Sequence, residues 1–169
     1  MLSRVCTGSL YGLETKMVYV ETDLSKGLPT TLMVGLPDVT VKESKERIRN
    51  AIINSGFLFP MKRVTINLSP ANTRKEGSHF DLPIAVGVLA AIGEIKGDEM
   101  GEYAFMGELS LNGDIFRIDG VLPLIMGLKA CGVDKFIIPE GNMGEAGLVK
   151  NVEIFPVRNL TEIVKHFNK

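Results

Sequence analysis

Residues 82–95 constrain this chain more than any other stretch. Ile84, Ala85, Val86, Val88, Leu89, Ala90, Ala91 and Ile92 leave a helix there with almost no polar side. A helix that is apolar nearly all round is a buried helix, so the rest of the chain has to cover it. Pro83 fits only in the first turn, where its missing N–H is not needed. The spacing therefore starts the helix within a residue or two of Asp81, the predicted N-cap.

The segments before it read mainly as strands. Residues 2–10 form a first strand closed by Tyr11-Gly12. Residues 15–24 alternate, with Met17, Tyr19, Glu21 and Asp23 on one side and Val18, Val20 and Thr22 on the other, the period of a strand. A turn cluster at 25–29 leads to a third strand at 30–36. Three strands with short links predict an antiparallel meander. The period then changes. Thr40-Val41-Lys42-Glu43 fits a capping box, and Val41, Ile48, Ala51, Ile52 and Ser55 share one helical face. The opposite face carries Lys42, Glu43, Lys45, Glu46, Arg47, Arg49 and Asn50. It reads as a solvated face with i,i+4 pairs such as Glu43–Arg47, or as a binding surface. Gly56 is the predicted stop. A fourth strand at 63–68 and a polar loop at 69–78 complete the first half.

In the second half, runs at 104–109 and 115–118 flank Asn112-Gly113, a hairpin signal. A helix at 122–130 ends at Gly132. A short buried strand at 136–138, a short helix at 144–150 and a strand at 152–157 follow. Asn159-Leu160-Thr161-Glu162 opens a last helix through Phe167. The pattern is an α+β domain: a mixed sheet with helices packed on it.

Composition narrows the function classes. The 169 residues are one domain's worth. The 19 Lys and Arg against 20 Asp and Glu leave a net charge of −1, which gives whole-domain attraction to nucleic acid no support and leaves only a local patch. The two cysteines, Cys6 and Cys131, are too few for a disulfide framework and read as buried thiols. No run reaches the roughly 18 apolar residues of a membrane span, and no signal peptide precedes the first strand, so a cytoplasmic location is expected. G-x-x-x-x-G-K-[ST] and Gly-x-Ser-x-Gly are absent, and His79 and His166 lack zinc spacing. No catalytic, cofactor or metal residue is therefore expected in this chain.

The loop before the buried helix carries a resemblance. Asn67-Leu68-Ser69-Pro70-Ala71-Asn72-Thr73-Arg74-Lys75-Glu76-Gly77-Ser78-His79-Phe80-Asp81-Leu82-Pro83-Ile84-Ala85 is similar to the hallmark of the YifB/ComM family of magnesium-chelatase-like AAA+ ATPases. Val34-Gly35-Leu36-Pro37-Asp38, Val41-Lys42-Glu43-Ser44, Asn54-Ser55-Gly56-Phe57, Gly107-Glu108-Leu109-Ser110-Leu111 and Gly120-Val121-Leu122-Pro123 agree in order. The resemblance implies a Lon-protease-like N-terminal domain with the ribosomal-protein-S-five-domain-2-like fold, filling residues 1–169. It implies an AAA+ module beyond Lys169, with ATP and magnesium belonging to that module. It also implies a homohexamer in which the chain meets its own module, sister subunits and DNA, and DNA remodelling of the branch-migration type that serves competence.

Lon-type peptidases place a nucleophilic Ser third in a Gly-Pro-Ser-Ala-Gly-like loop and pair it with a Lys after a Gly-Gly-Leu. In that register the serine position is His79, with Ser78 one place off, and the lysine position is Leu122, with Lys129 two turns on. An activated Ser needs a base within reach, so the resemblance implies a non-catalytic domain. A Lon-like Ser/Lys peptidase and a magnesium-chelatase subunit are the alternatives. For the loop itself two readings stand. Arg74 and Lys75, with Lys62 and Arg63, contact DNA phosphate or an acidic partner. Alternatively the loop is structural, with Glu76 offsetting a charge, Gly77 turning the chain, Ser78 following it and Asp81 capping the helix.

Overall fold

The computed structural model describes residues 2–96 and 98–169. A seven-stranded mixed sheet runs in the order β3 (Thr30–Val34), β4 (Arg63–Ser69), β2 (Glu14–Ser25), β1 (Leu2–Tyr11), β5 (Tyr103–Phe105), β8 (Lys135–Pro139), β9 (Glu153–Val157). Its first pair is a long antiparallel hairpin, β1 (Leu2–Tyr11) and β2 (Glu14–Ser25). β3 (Thr30–Val34) does not join that hairpin. It pairs in parallel with β4 (Arg63–Ser69), and β4 takes the free side of β2. The predicted meander is thus corrected. Between β3 and β4 lies α1 (Val39–Asn54), whose apolar side must lie on the sheet. A strand that returns after such a crossover runs parallel.

On the other side of the hairpin, β5 (Tyr103–Phe105), β8 (Lys135–Pro139) and β9 (Glu153–Val157) add in parallel. The Asn112-Gly113 hairpin forms between β6 (Glu108–Leu109) and β7 (Ile115–Phe116), shorter than predicted and separate from the main sheet.

Strand alternation gives the sheet two apolar faces. Val5, Val18, Val20, Val64, Ile66 and Ile137 meet α1, α2 (Asp81–Ala91) and α5 (Leu160–Phe167). Cys6, Ala104, Phe136 and Ile138 meet α3 (Val121–Ala130) and α4 (Met143–Ala146). α2 is the predicted buried helix: every residue from Asp81 to Leu89 is buried. It stops at Ala91, four residues before Ile95, because Gly93 turns left-handed at φ +85°. α1 and α3 end before Gly56 and Gly132, both at positive φ, as their patterns predict.

Three local expectations change. The cap of α1 is Asp38, whose carboxylate accepts from the Val41 N–H at 2.8 Å, so Thr40 is already helical. α4 is a single turn, shorter than the helix that the pattern at 144–150 predicts. Cys131 is exposed, since it ends α3 on the solvent side, while Cys6 is buried. Asn159 does cap α5, accepting from the Glu162 N–H at 3.0 Å.

Candidate functional site

The loop that joins β4 to α2 is tied down along its length. It leaves β4 through a cis Ser69–Pro70 bond and comes back against the β3–α1 junction. There Lys75 N–H donates to Leu36 O and Asp38 N–H donates to Lys75 O, both at 3.0 Å. The Lys75 side chain then turns inward. It is fully buried, and its ammonium donates to Gly35 O at 2.7 Å and to Pro70 O. Burial holds that ammonium below the usual lysine range. Gly35 is required here: at φ +99° a Cβ would collide with the Leu68 carbonyl, so only glycine lets the two backbones approach.

Past Gly77 the chain makes a 3₁₀ turn, Ser78–Phe80, into α2. His79 is buried, and its Nε2 lies 2.8 Å from Gly8 O on β1. Burial lowers the His79 pKa, and the bond to the Gly8 carbonyl opposes that shift. Asp81 is not the cap of α2. It is the first helical residue, and its carboxylate accepts from Arg47 Nε at 2.8 Å, Arg47 Nη2 at 3.0 Å and the Leu109 N–H at 3.1 Å. Burial raises the Asp81 carboxyl, and the Arg47 and Leu109 bonds oppose it. Arg47 pairs with Asp81 rather than with the predicted Glu43, whose charge still acts on the guanidinium, and the pair joins α1, α2 and β6. A charged carboxylate in the interior demands such a partner more strongly than a surface Glu does.

The four predicted cations therefore do not form one patch. Lys75 has its ammonium inside the fold, so it is not available to a phosphate. Arg74 is exposed, pairs with Glu76 at 3.3 Å, and offers its carbonyl to Tyr11 Oη at 2.5 Å. Lys62 and Arg63 are exposed at the opposite end of β4, about 20 Å away at roughly 3.3 Å per strand residue. Beside Lys62, a groove of about 480 Å³ also holds Lys45 and Arg49 of α1. Helical periodicity puts those two on the charged face of α1 without singling them out. Their i,i+4 spacing is the signal in the sequence that sets them side by side.

The two positions of the Lon-like register hold neither a serine nor a lysine. The serine position holds the buried, backbone-bonded His79, and the lysine position holds Leu122, half-buried in the first turn of α3. Lys129, further along α3, gives its ammonium to Lys150 O at 2.7 Å. Among the described residues, no group of three or more His, Cys, Asp or Glu could hold a metal ion, and no helix is long and apolar enough to cross a membrane.

Comparison with known proteins agrees with the loop motifs. The family model for subunit ChlI of Mg-chelatase matches residues 20–142. The chain is 37% identical over 167 residues to the competence protein ComM of Haemophilus influenzae, covering 99% of this chain and 33% of that protein. It is 43% identical over 148 residues to the uncharacterized protein YifB of Escherichia coli, covering 88% and 29%. It is 34% identical over 95 residues to an archaeal Lon protease from Methanothermobacter thermautotrophicus, covering 54% and 14%. The chain thus spans about a third of the length of the curated relatives ComM and YifB.

Proposed function

The chain belongs to the family of subunit ChlI of Mg-chelatase, among the magnesium-chelatase-like proteins that include ComM and YifB, and from that premise we propose that it is the non-catalytic, Lon-like domain of an AAA+ ATPase that remodels DNA. In this reading, ATP and magnesium act in a module outside these residues. The present domain helps to assemble a hexameric ring and contacts DNA or a partner. The relative named as a competence protein supports a role in competence.

One observation carries the non-catalytic part. Around the loop that would present a nucleophile, Lys75 and Asp81 turn inward, Lys75 onto two carbonyls and Asp81 onto Arg47, and a backbone-bonded His79 stands where the resemblance puts the serine. Fold does not carry activity without its site. The Lon-like peptidase alternative has sequence similarity in its favour and this site against it.

Two assays test the reading. The 169-residue chain should leave labelled casein intact; a cleavage rate abolished by Ser78→Ala would overturn it. In the long protein with its ATPase module, Arg74→Ala and Lys62→Ala/Arg63→Ala should each weaken DNA binding and flatten its salt dependence by about 0.9 for every phosphate that is no longer neutralised. Binding and unwinding unchanged in both variants would remove DNA contact from this domain.

A further inference from the structure

We propose that the free edge of β3 accepts an added strand from an extended, acidic polypeptide segment, held by Lys45, Arg49 and Lys62. The two outer strands of the sheet are β3 and β9, and they are treated differently. Proteins blunt such edges with proline or charge, because unpaired N–H and C=O groups recruit other strands. β9 carries exposed Pro156 and exposed Glu153. β3 reads Thr30-Thr31-Leu32-Met33-Val34, with neither. Met33 anchors the strand in the core, while Leu32 and Val34 remain 42% and 39% exposed.

The groove of about 480 Å³ lies beside the start of this edge. Pro29, Thr30 and Thr31 line one side, α1 another, and residues 57–62 the rest. A strand added between an edge strand and a helix is a recurrent peptide-binding arrangement: main-chain bonds give affinity and side-chain sites give specificity. Ile53, 45% exposed, and half-buried Phe59 offer an apolar side-chain site. Three cations, Lys45, Arg49 and Lys62, line the groove against one acid, Glu46. Arg49 sits over the Phe59 ring, 5.8 Å from its centroid, which holds the guanidinium at the groove wall. Among the described residues none of the three is in an ion pair, so their charge is open to a ligand carboxylate. The edge favours polypeptide over nucleic acid. A strand edge presents donors and acceptors alternately, and a polypeptide backbone answers both, whereas a phosphodiester backbone only accepts.

The probe is a fluorescent octapeptide of three Thr-Val pairs followed by Asp-Glu, read by anisotropy with the 169-residue chain. It should bind at least 10-fold more tightly than the same peptide ending in Lys-Lys. Lys45→Glu/Lys62→Glu, the first half-buried and the second exposed, should weaken binding at least 10-fold while a cooperative melt shows that the fold is retained. N-methylation of alternate peptide residues, which alters the ligand and not the protein, should abolish binding. Hydrogen exchange at residues 30–34 should slow in the complex. Three results would overturn the proposal: equal binding of the N-methylated peptide, preferential binding of a 15-residue oligothymidylate, or a peptide-insensitive dimer in sedimentation that Lys45→Glu/Lys62→Glu dissolves.

Discussion

Removing Arg47 should expose how much of this fold rests on one ion pair. In Arg47→Met the Asp81 carboxylate, 1% exposed, keeps only the Leu109 N–H. Breaking a buried pair by taking one partner costs about 3–5 kcal/mol. Arg47 is itself 25% exposed, so water can enter the vacated space and the lower end applies, about 3 kcal/mol. That is roughly a 150-fold fall in the folding constant at 1.36 kcal/mol per decade. With a urea slope near 2 kcal/mol/M, the midpoint should drop by about 1.5 M. The loss should depend on pH in a set direction. Without Arg47, burial is left to push the Asp81 carboxyl further above the unfolded value near 3.9. A group whose folded pKa is raised binds its proton on folding, so stability falls as pH rises from the unfolded to the folded value. The variant should therefore lose more at pH 7.5 than at pH 4.5. Arg47→Met/Asp81→Leu, which leaves no orphaned charge, should recover much of the loss. Urea titrations of the three proteins at both pH values decide it. A single variant within 1 kcal/mol of wild type, or a loss equal at both pH values, would refute the argument.

Lys75→Met should cost about 1–3 kcal/mol, since it leaves the Gly35 and Pro70 carbonyls unpaired. The depressed Lys75 pKa makes wild-type stability climb as pH rises toward the unfolded lysine value near 10.4. Thermal melts from pH 7 to 10 should show that rise flattened in the variant. Burial lowers the His79 pKa, so stability should fall as pH drops below about 6.5 toward the folded value; His79→Gln should reduce that slope, leaving the contribution of His166, whose pKa burial also lowers. A thiol reagent should label one cysteine in the folded chain and two in urea. Cys131 is exposed, whereas burial pushes the Cys6 thiol up to about 11.

Periodicity with its capping and turn signals determined most of the helices and strands and which side of each is apolar, though not the single turn of α4 or the end of α2. That information is local: the face of α1, the all-round burial of α2, the Asn159 cap and the glycine stops are written within a few residues of where they act. The loop motifs carried the family in the same way. Partnership between distant segments was not legible. The turn at residues 25–29 is as compatible with β3 folding onto β2 as with β3 lying one strand away at the edge, where it is found. The strand order followed from α1 needing the sheet beneath it. The environment of a charge was hidden for the same reason. Lys75 and Arg74 are adjacent and both basic, yet Arg74 is exposed and Lys75 buried. What separates them is the carbonyl of Gly35, forty residues earlier in sequence, and a charge is stable inside a protein only where the fold brings such acceptors to it.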